Sequence, residues 1–301
     1  MSRRRVTLGS GVVAVLLAAI LAVLLAGPDD AAGLVPSAAT PLSAHRDSLA
    51  AAAPAGEASA APPQRIERPA WARASVATVW LRPAKARPVD RPALRRAPDI
   101  NRWVHRQTLA EREGLTHRVL TQAVHGERVD VLRERSGWSR VRLPQQRGSY
   151  FRDGIVGWVP TRQLTARAPR TAHARPGAAV HRHRGSPLAV ARHYLGVRYL
   201  WGGMTRRGID CSGLTYQVFG ALGRTLPRDA ADQSRVGRPV SRAQLRPGDL
   251  VFFGPGGWRT IHHVGIYAGG GVVLHAPHTG STVQLTPLTD WSDYWGARRV
   301  L

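Results

Sequence analysis

GIDCSGLTYQVFG, residues 208–220, carries the one cysteine in a chain of 301 residues. Leu214, Val218, Phe219 and Leu222 fall on one face of a helix whose N-terminus lies at Cys211. Unpaired backbone N–H groups and the positive end of the dipole at that place favour an anion. A thiolate is the nucleophilic form of cysteine, and a helix N-terminus is expected to lower the thiol pKa. Residue type alone leaves two other readings open. A lone cysteine also serves as a small buried hydrophobe, and cysteine and histidine are both zinc ligands. No close pair of the CxxC or HxxxH kind stands near Cys211.

A nucleophilic cysteine needs an imidazole. Candidates are His262, His263 and His275. In HHVGIY (262–267), strand alternation sends Val264 and Ile266 to one face and His263 and Gly265 to the other, away from the core. His275, in VVLHAP (272–277), lies in the next strand. There it is placed to hold the His263 ring through its far nitrogen, as the third member of a triad does. The other histidines, His181 and His183 among them, read as solvated surface.

Outward from these residues, SPLAVARHYLG (186–196) reads as a helix with Ser186 as N-cap, Pro187 in the first turn and Gly196 at the C-cap. LRPGDLVFF, HHVGIYAGG, GVVLHAP and STVQLTPL follow as strands. Helices first and strands later predict an α+β domain over 187–301. Upstream, residues 75–168 alternate with period two around Gly-containing turns, as in ERVDVLRERSGWSRVRLP. That pattern predicts a small all-β barrel or sandwich, with DINRWVHRQTLAEREGL (99–115) as a helical insertion. Residues 28–74 are Ala/Pro-rich and 169–186 are rich in Arg, His, Pro and Gly, so both read as linkers.

Residues 1–27 place three arginines before a stretch without charge from Val6 to Pro28. This is the order of a signal segment, and about 20 apolar residues also suffice for a membrane anchor. The chain is therefore expected to be exported, either secreted or held on the outer face of the cytoplasmic membrane. Lys+Arg number 43 against 19 Asp+Glu, a net charge of +24, and Lys85 is the only lysine. A field of that sign attracts polyanions. One cysteine excludes an intramolecular disulfide.

Taken together, YLWGGMTRRGIDCSGLTYQVFGALGRTLPRDAADQ (199–233), LRPGDLVFF (245–253) and HHVGIYAGGGVVLHA (262–276) resemble the NlpC/P60 family of papain-like cell-wall cysteine peptidases. The family pattern is YxWGG, DCSGL, LPR with a downstream Gln, PGDLVFF, HVGIY and HA. Every block is present in order. The resemblance implies Cys211 as nucleophile, His263 as base and His275 as orienting third member. It implies Tyr199 near the oxyanion and substrate, with Asp210 and Ser212 lining the substrate pocket. Asp249, Gly202 and Gly203 would keep the fold, and His262 stands outside the pattern. TQAVHGERVDVL, SGWSRV and GWVPTRQL similarly resemble a bacterial SH3 module.

The activity implied is hydrolysis of peptidoglycan stem peptides, commonly at the γ-D-glutamyl–diamino acid bond, with no metal or other cofactor. Expected partners are stem peptides and anionic wall polymers. Membrane contact is expected only through the N-terminal segment. The rival reading is a non-catalytic wall- or polyanion-binding protein. Nucleic-acid binding is opposed by the export segment and rests on charge alone.

Overall fold

The computed structural model describes residues 68–169 and 185–301. The N-terminal signal or anchor segment, the Ala/Pro-rich stretch to 67 and the basic linker 170–184, with His181 and His183, lie outside the described residues. No helix among the described residues is long and apolar enough to cross a membrane.

The upstream domain is a seven-stranded antiparallel sheet in the order β3-β2-β6-β5-β4-β1-β7. Its strands are β1 (Arg68–Ala72), β2 (Val76–Trp80), β3 (Val119–Val124), β4 (Arg128–Arg135), β5 (Trp138–Leu143), β6 (Ile155–Pro160) and β7 (Leu164–Thr165). The alternating residues Val79, Val129, Val131, Val141, Leu143 and Val159 fill its core. Ser136 (φ 49°) and Gly137 (φ 76°) close the β4–β5 hairpin. Positive φ at both central residues matches the right-handed twist of the flanking strands. The barrel begins earlier than the alternation from residue 75 implies. β1 lies in the stretch read as linker, pairs with β4 and β7, and buries Ala70 and Ala72. Small alanines in a Pro-rich context carry no apolar alternation by which to recognise the strand.

Between β2 and β3 the chain forms α1 (Arg91–Leu94), α2 (Ile100–Arg106) and α3 (Leu109–Glu113). Asp99 and Thr108 cap the second and third through the backbone N–H of Arg102 and Glu111. Ile100, Trp103 and Val104 lie at i, i+3 and i+4, so α2 buries one stripe. That stripe joins Trp80, Leu115 and Val119 in the core of the next domain. The insertion supplies one part of the surface by which the barrel packs on its neighbour.

The second domain contains α4 (Pro187–Arg192), the ribbon β8 (Met204–Thr205) and β9 (Gly208–Ile209), α5 (Cys211–Ala221) and α6 (Ala230–Gln233). An antiparallel sheet follows: β10 (Arg238–Val240), β11 (Leu250–Phe253), β12 (His263–Gly269), β13 (Val272–His275), β14 (Gln284–Pro287) and β15 (Tyr294–Arg299), in the order β10-β15-β11-β12-β13-β14. Ser186 caps α4, which stops at Arg192, four residues before Gly196 (φ 78°). Every residue of α5 is buried, where the sequence pattern predicts a single apolar face. One side packs on α4 and β12. The other meets the barrel, where the Tyr216 hydroxyl donates to the Gln145 carbonyl (3.1 Å).

The two domains interlock through main-chain groups. Trp201 Nε1 donates to the Val119 carbonyl (3.0 Å), the Met204 N–H to Gln122 Oε1 (3.1 Å) and the Arg228 N–H to the Arg147 carbonyl (2.9 Å). Gly202 sits in this seam at φ 72°, and a Cβ there would come within 2.8 Å of Val119 Cγ1. Gly202→Ala should therefore lower unfolding stability by about 1–3 kcal/mol, the usual cost of a side chain in the left-handed region. Urea unfolding of the variant beside wild type measures it, and an unchanged midpoint would contradict this packing.

Candidate active site

Asp210 starts α5 by accepting the Gly213 N–H on Oδ1 (2.6 Å), which leaves Cys211 as the first helical residue. The backbone N–H of Val264 and that of Ser212 both point at the cysteine sulfur. Val264 follows His263, so the thiol sits against the first residues of β12. Cys211 is 8% exposed and packs in one buried cluster with Tyr199, Trp201 and Val264.

His263 is 1% exposed. Its ring stacks on Trp291 (centroids 4.9 Å apart, planes within 8°) and contacts Phe253 at 5.7 Å. The face turned away from the core by strand alternation is thus covered. Residues 288–293, between β14 and β15, fold over it and place Leu288 and Trp291, with Tyr294 at the start of β15, beside Phe253. His263 Nε2 lies 2.9 Å from His275 Nδ1, and His275 Nε2 lies 2.9 Å from Thr286 Oγ1 on β14. Thr286 also receives a bond from Gln284 Nε2 (3.3 Å).

Thr286 Oγ1 can accept from His275 Nε2 or donate to it, and the first case leaves His263 able to act as a base. With the Thr286 oxygen as acceptor, His275 carries its proton on Nε2 and is bare at Nδ1. His263 then donates from Nε2, and its Nδ1 is left free to accept a proton. Which nitrogen of a histidine is basic is set by the bond the other makes. His262, by contrast, pairs with Asp293 Oδ2 (2.7 Å).

Electrostatics favour the neutral forms of Cys211 and His263. Burial pushes the Cys211 thiol up to about 12, and the Asp210 carboxylate adds to the rise. The N–H groups of Val264 and Ser212 and the Arg228 charge oppose it. The lowering expected from the helix terminus is therefore present but smaller than the cost of desolvating a thiolate. Burial likewise takes His263 well below the usual histidine value, with further lowering from His275, His262 and His278. His275 is brought down to about 4 by burial, then by His278. Burial thus favours the uncharged form of each group.

Tyr199 is buried beside Cys211. Its hydroxyl is raised well above its ordinary pKa by burial, then by Cys211 and Asp210, so it stays a donor. Asp210 and Ser212 turn inward. Arg228 grips the Asp210 carboxylate at both oxygens (2.6 and 3.1 Å) and also reaches Ser212 Oγ (2.8 Å), while Asp210 Oδ2 accepts the Gly202 N–H (2.8 Å). Gln233 braces the same turn, donating to the Ser212 carbonyl (3.0 Å) and accepting from Thr215 Oγ1 (2.6 Å). Asp249 is held by Arg299 (2.6 Å), far along the sheet from this centre. Sequence reading did not single out Arg228, Thr286 or Trp291 as site residues. Arg228 stood in the LPR block. The other two lie where only tertiary packing brings them to the histidines.

A buried thiol at a helix N-terminus, against an antiparallel sheet that carries a histidine pair on two neighbouring strands, is an arrangement suited to a cysteine hydrolase of mixed α and β fold. Comparison with known proteins agrees. Residues 196–300 match the model of the NlpC/P60 family, and 117–164 match the bacterial dipeptidyl-peptidase SH3 domain. The second match omits β1 and β2, which the helical insertion separates from β3. A γ-D-glutamyl-L-lysine dipeptidyl-peptidase of Bacillus subtilis is 33% identical over 72% of this chain and 92% of its own length. A second protein of that name, from Bacillus cereus, is 28% identical over 75% of this chain and 89% of its own. A crystal structure of an NlpC/P60 family protein from Bacillus cereus superposes with a TM-score of 0.68 at 26% identity, covering 77% of this chain and 99% of that one. The chain belongs to the NlpC/P60 family and is a cysteine peptidase of that family.

Two outcomes follow from the histidine geometry. With His263 as base and Thr286 as acceptor, Thr286→Val should lower kcat/KM by about tenfold or more, because a base in the wrong tautomer accepts no proton, while Thr286→Ser stays near wild type. Equal loss in both would contradict the tautomer assignment. The second concerns acid. His263 and His275 are depressed in the fold, whereas the unfolded chain takes up protons below about 6.5. Stability is therefore fully present above that pH and falls as pH drops below it. Imidazole signals in an NMR titration should show both rings neutral at pH 6.5. A midpoint at or above 6.5 for either ring would contradict the burial argument.

Proposed function

We propose that this chain is an exported endopeptidase that hydrolyses peptidoglycan stem peptides at the γ-D-glutamyl–diamino acid bond. The carrying observation is the Cys211 sulfur, met by the Val264 N–H beside a His263 whose far nitrogen is fixed by His275. The relatives named for γ-D-glutamyl-L-lysine cleavage, which share both domains, support the choice of bond. The arginine-led apolar segment at residues 1–27 supports export. The charge of +24 supports retention near anionic wall polymers.

In this reading sulfur attacks the γ-carbonyl carbon as its proton passes to His263 Nδ1. The tetrahedral oxyanion is met by the Cys211 backbone N–H and the Tyr199 hydroxyl, and one such donor contributes about 3 kcal/mol. His263 returns the proton to the departing amine, and the C–N bond breaks to leave a thioester on Cys211. Water, giving its proton to His263, then attacks the thioester and frees the acid and the thiol. Asp210 and Arg228 set the helix end on which the sulfur rides.

Mass spectrometry of purified stem peptides after digestion tests this. The products should be an N-terminal fragment ending in D-glutamate and a fragment beginning with the diamino acid. Cys211→Ala should lower turnover by about 10⁴-fold or more, as loss of a covalent nucleophile does. Cleavage at another bond would overturn the substrate, and an active Cys211→Ala would overturn the nucleophile.

A further inference from the structure

Glu127 stands in the β3–β4 turn of the barrel, in the other domain from Cys211, yet it is 4% exposed. Its Oε2 accepts the Val124 N–H (3.0 Å) and its Oε1 accepts Gln146 Nε2 (3.0 Å). Gln146 Nε2 also donates to the Gln122 carbonyl (2.8 Å), and its Oε1 accepts the Thr121 hydroxyl (2.6 Å). With its one proton so used, Thr121 Oγ1 accepts from Arg228 Nε (3.0 Å). Arg228 is the residue that grips Asp210 and Ser212 on either side of Cys211. Thr121 and Gln146 are fully buried.

The direction of this relay is forced. A guanidinium only donates and a carboxylate only accepts. Donation therefore runs from Arg228 to Thr121, to Gln146, to Glu127. The amide of Gln146 cannot turn over, since that would set its NH₂ against the Thr121 donor and its oxygen against the Gln122 carbonyl.

Resting on the assignment of Cys211 as nucleophile, we propose that Glu127 and Thr121 are positioning residues of the active site: the acceptor at Glu127 orders a donor relay that holds Arg228, and through it Asp210 and the first turn of α5. The barrel is then a structural part of the catalytic centre as well as its neighbour. A carboxylate is costly to bury, and burial pushes Glu127 up to about 7 against the pull of Val124, Gln146 and the Arg228 charge. The relay gives that carboxylate a use, because glutamine in its place would present an NH₂ to one of two N–H donors. Arg228 also favours the Cys211 thiolate. A loosened Arg228 therefore changes the thiol itself, which mere loss of fold stability would not.

The test uses the full chain at pH 8. It compares the rate of Cys211 alkylation by iodoacetamide, and kcat/KM on a stem peptide, in Thr121→Val, Thr121→Ser and Glu127→Gln. Circular dichroism restricts the comparison to folded protein. Alkylation in Thr121→Val and Glu127→Gln should slow by about three- to tenfold, since a thiol pKa one unit higher leaves a tenth of the thiolate. The same two variants should lose about tenfold in kcat/KM. Thr121→Ser, which keeps the hydroxyl, should stay within about twofold of wild type in both. Folded Thr121→Val with wild-type alkylation and turnover would overturn the proposal, as would Thr121→Ser matching Thr121→Val. Alkylation needs no substrate, so this failure is distinct from that of the nucleophile assignment, which an active Cys211→Ala would expose.

Discussion

One buried ion pair, Arg228 on Asp210, carries the rest of the structure. Asp210 caps the helix that presents Cys211, and Arg228 ties that cap to Thr121 and Arg147 of the barrel. Both charges are almost wholly out of water. Removing one partner of such a pair leaves an uncompensated charge and costs about 3–5 kcal/mol. The pair is tolerated because every oxygen of Asp210 and every nitrogen of Arg228 is used. Its placement explains why the thiol stands at a fixed point between two domains and does not drift with the end of an exposed helix.

The same burial sets the chemistry. Taken out of water, Cys211 is pushed toward its neutral thiol and His263 toward its neutral imidazole. With Thr286 as acceptor, the order His263–His275–Thr286 leaves His263 Nδ1 free. Trp291, stacked flat on His263, excludes water from the ring and fixes its plane.

Much of this could be read from the chain. The helix at Cys211, the strands bearing His263 and His275, the α+β order and the period-two barrel are all local patterns, and local patterns fix local structure. Three features were hidden. β1 turns only the small Ala70 and Ala72 into the barrel core, so its inward face carries little apolar signal. α5 is buried on every side because the barrel covers the face that a single domain would leave wet. Thr286 and Trp291 meet the histidines only when the chain after β13 folds back over the sheet. Arg228 lies between these cases: its motif was visible at LPR, but its partners come from 18 and 107 positions away.

The most direct test of the central claim, that Cys211 attacks while His263 takes its proton, is intact-mass analysis of the protein quenched in acid during turnover of a stem peptide. The account predicts a thioester adduct with the mass of the N-terminal acyl fragment, located on the peptide containing Cys211 and absent from Cys211→Ala. Undiminished turnover without any adduct on that peptide, at times when the enzyme is saturated, together with a fully active Cys211→Ala, would contradict it.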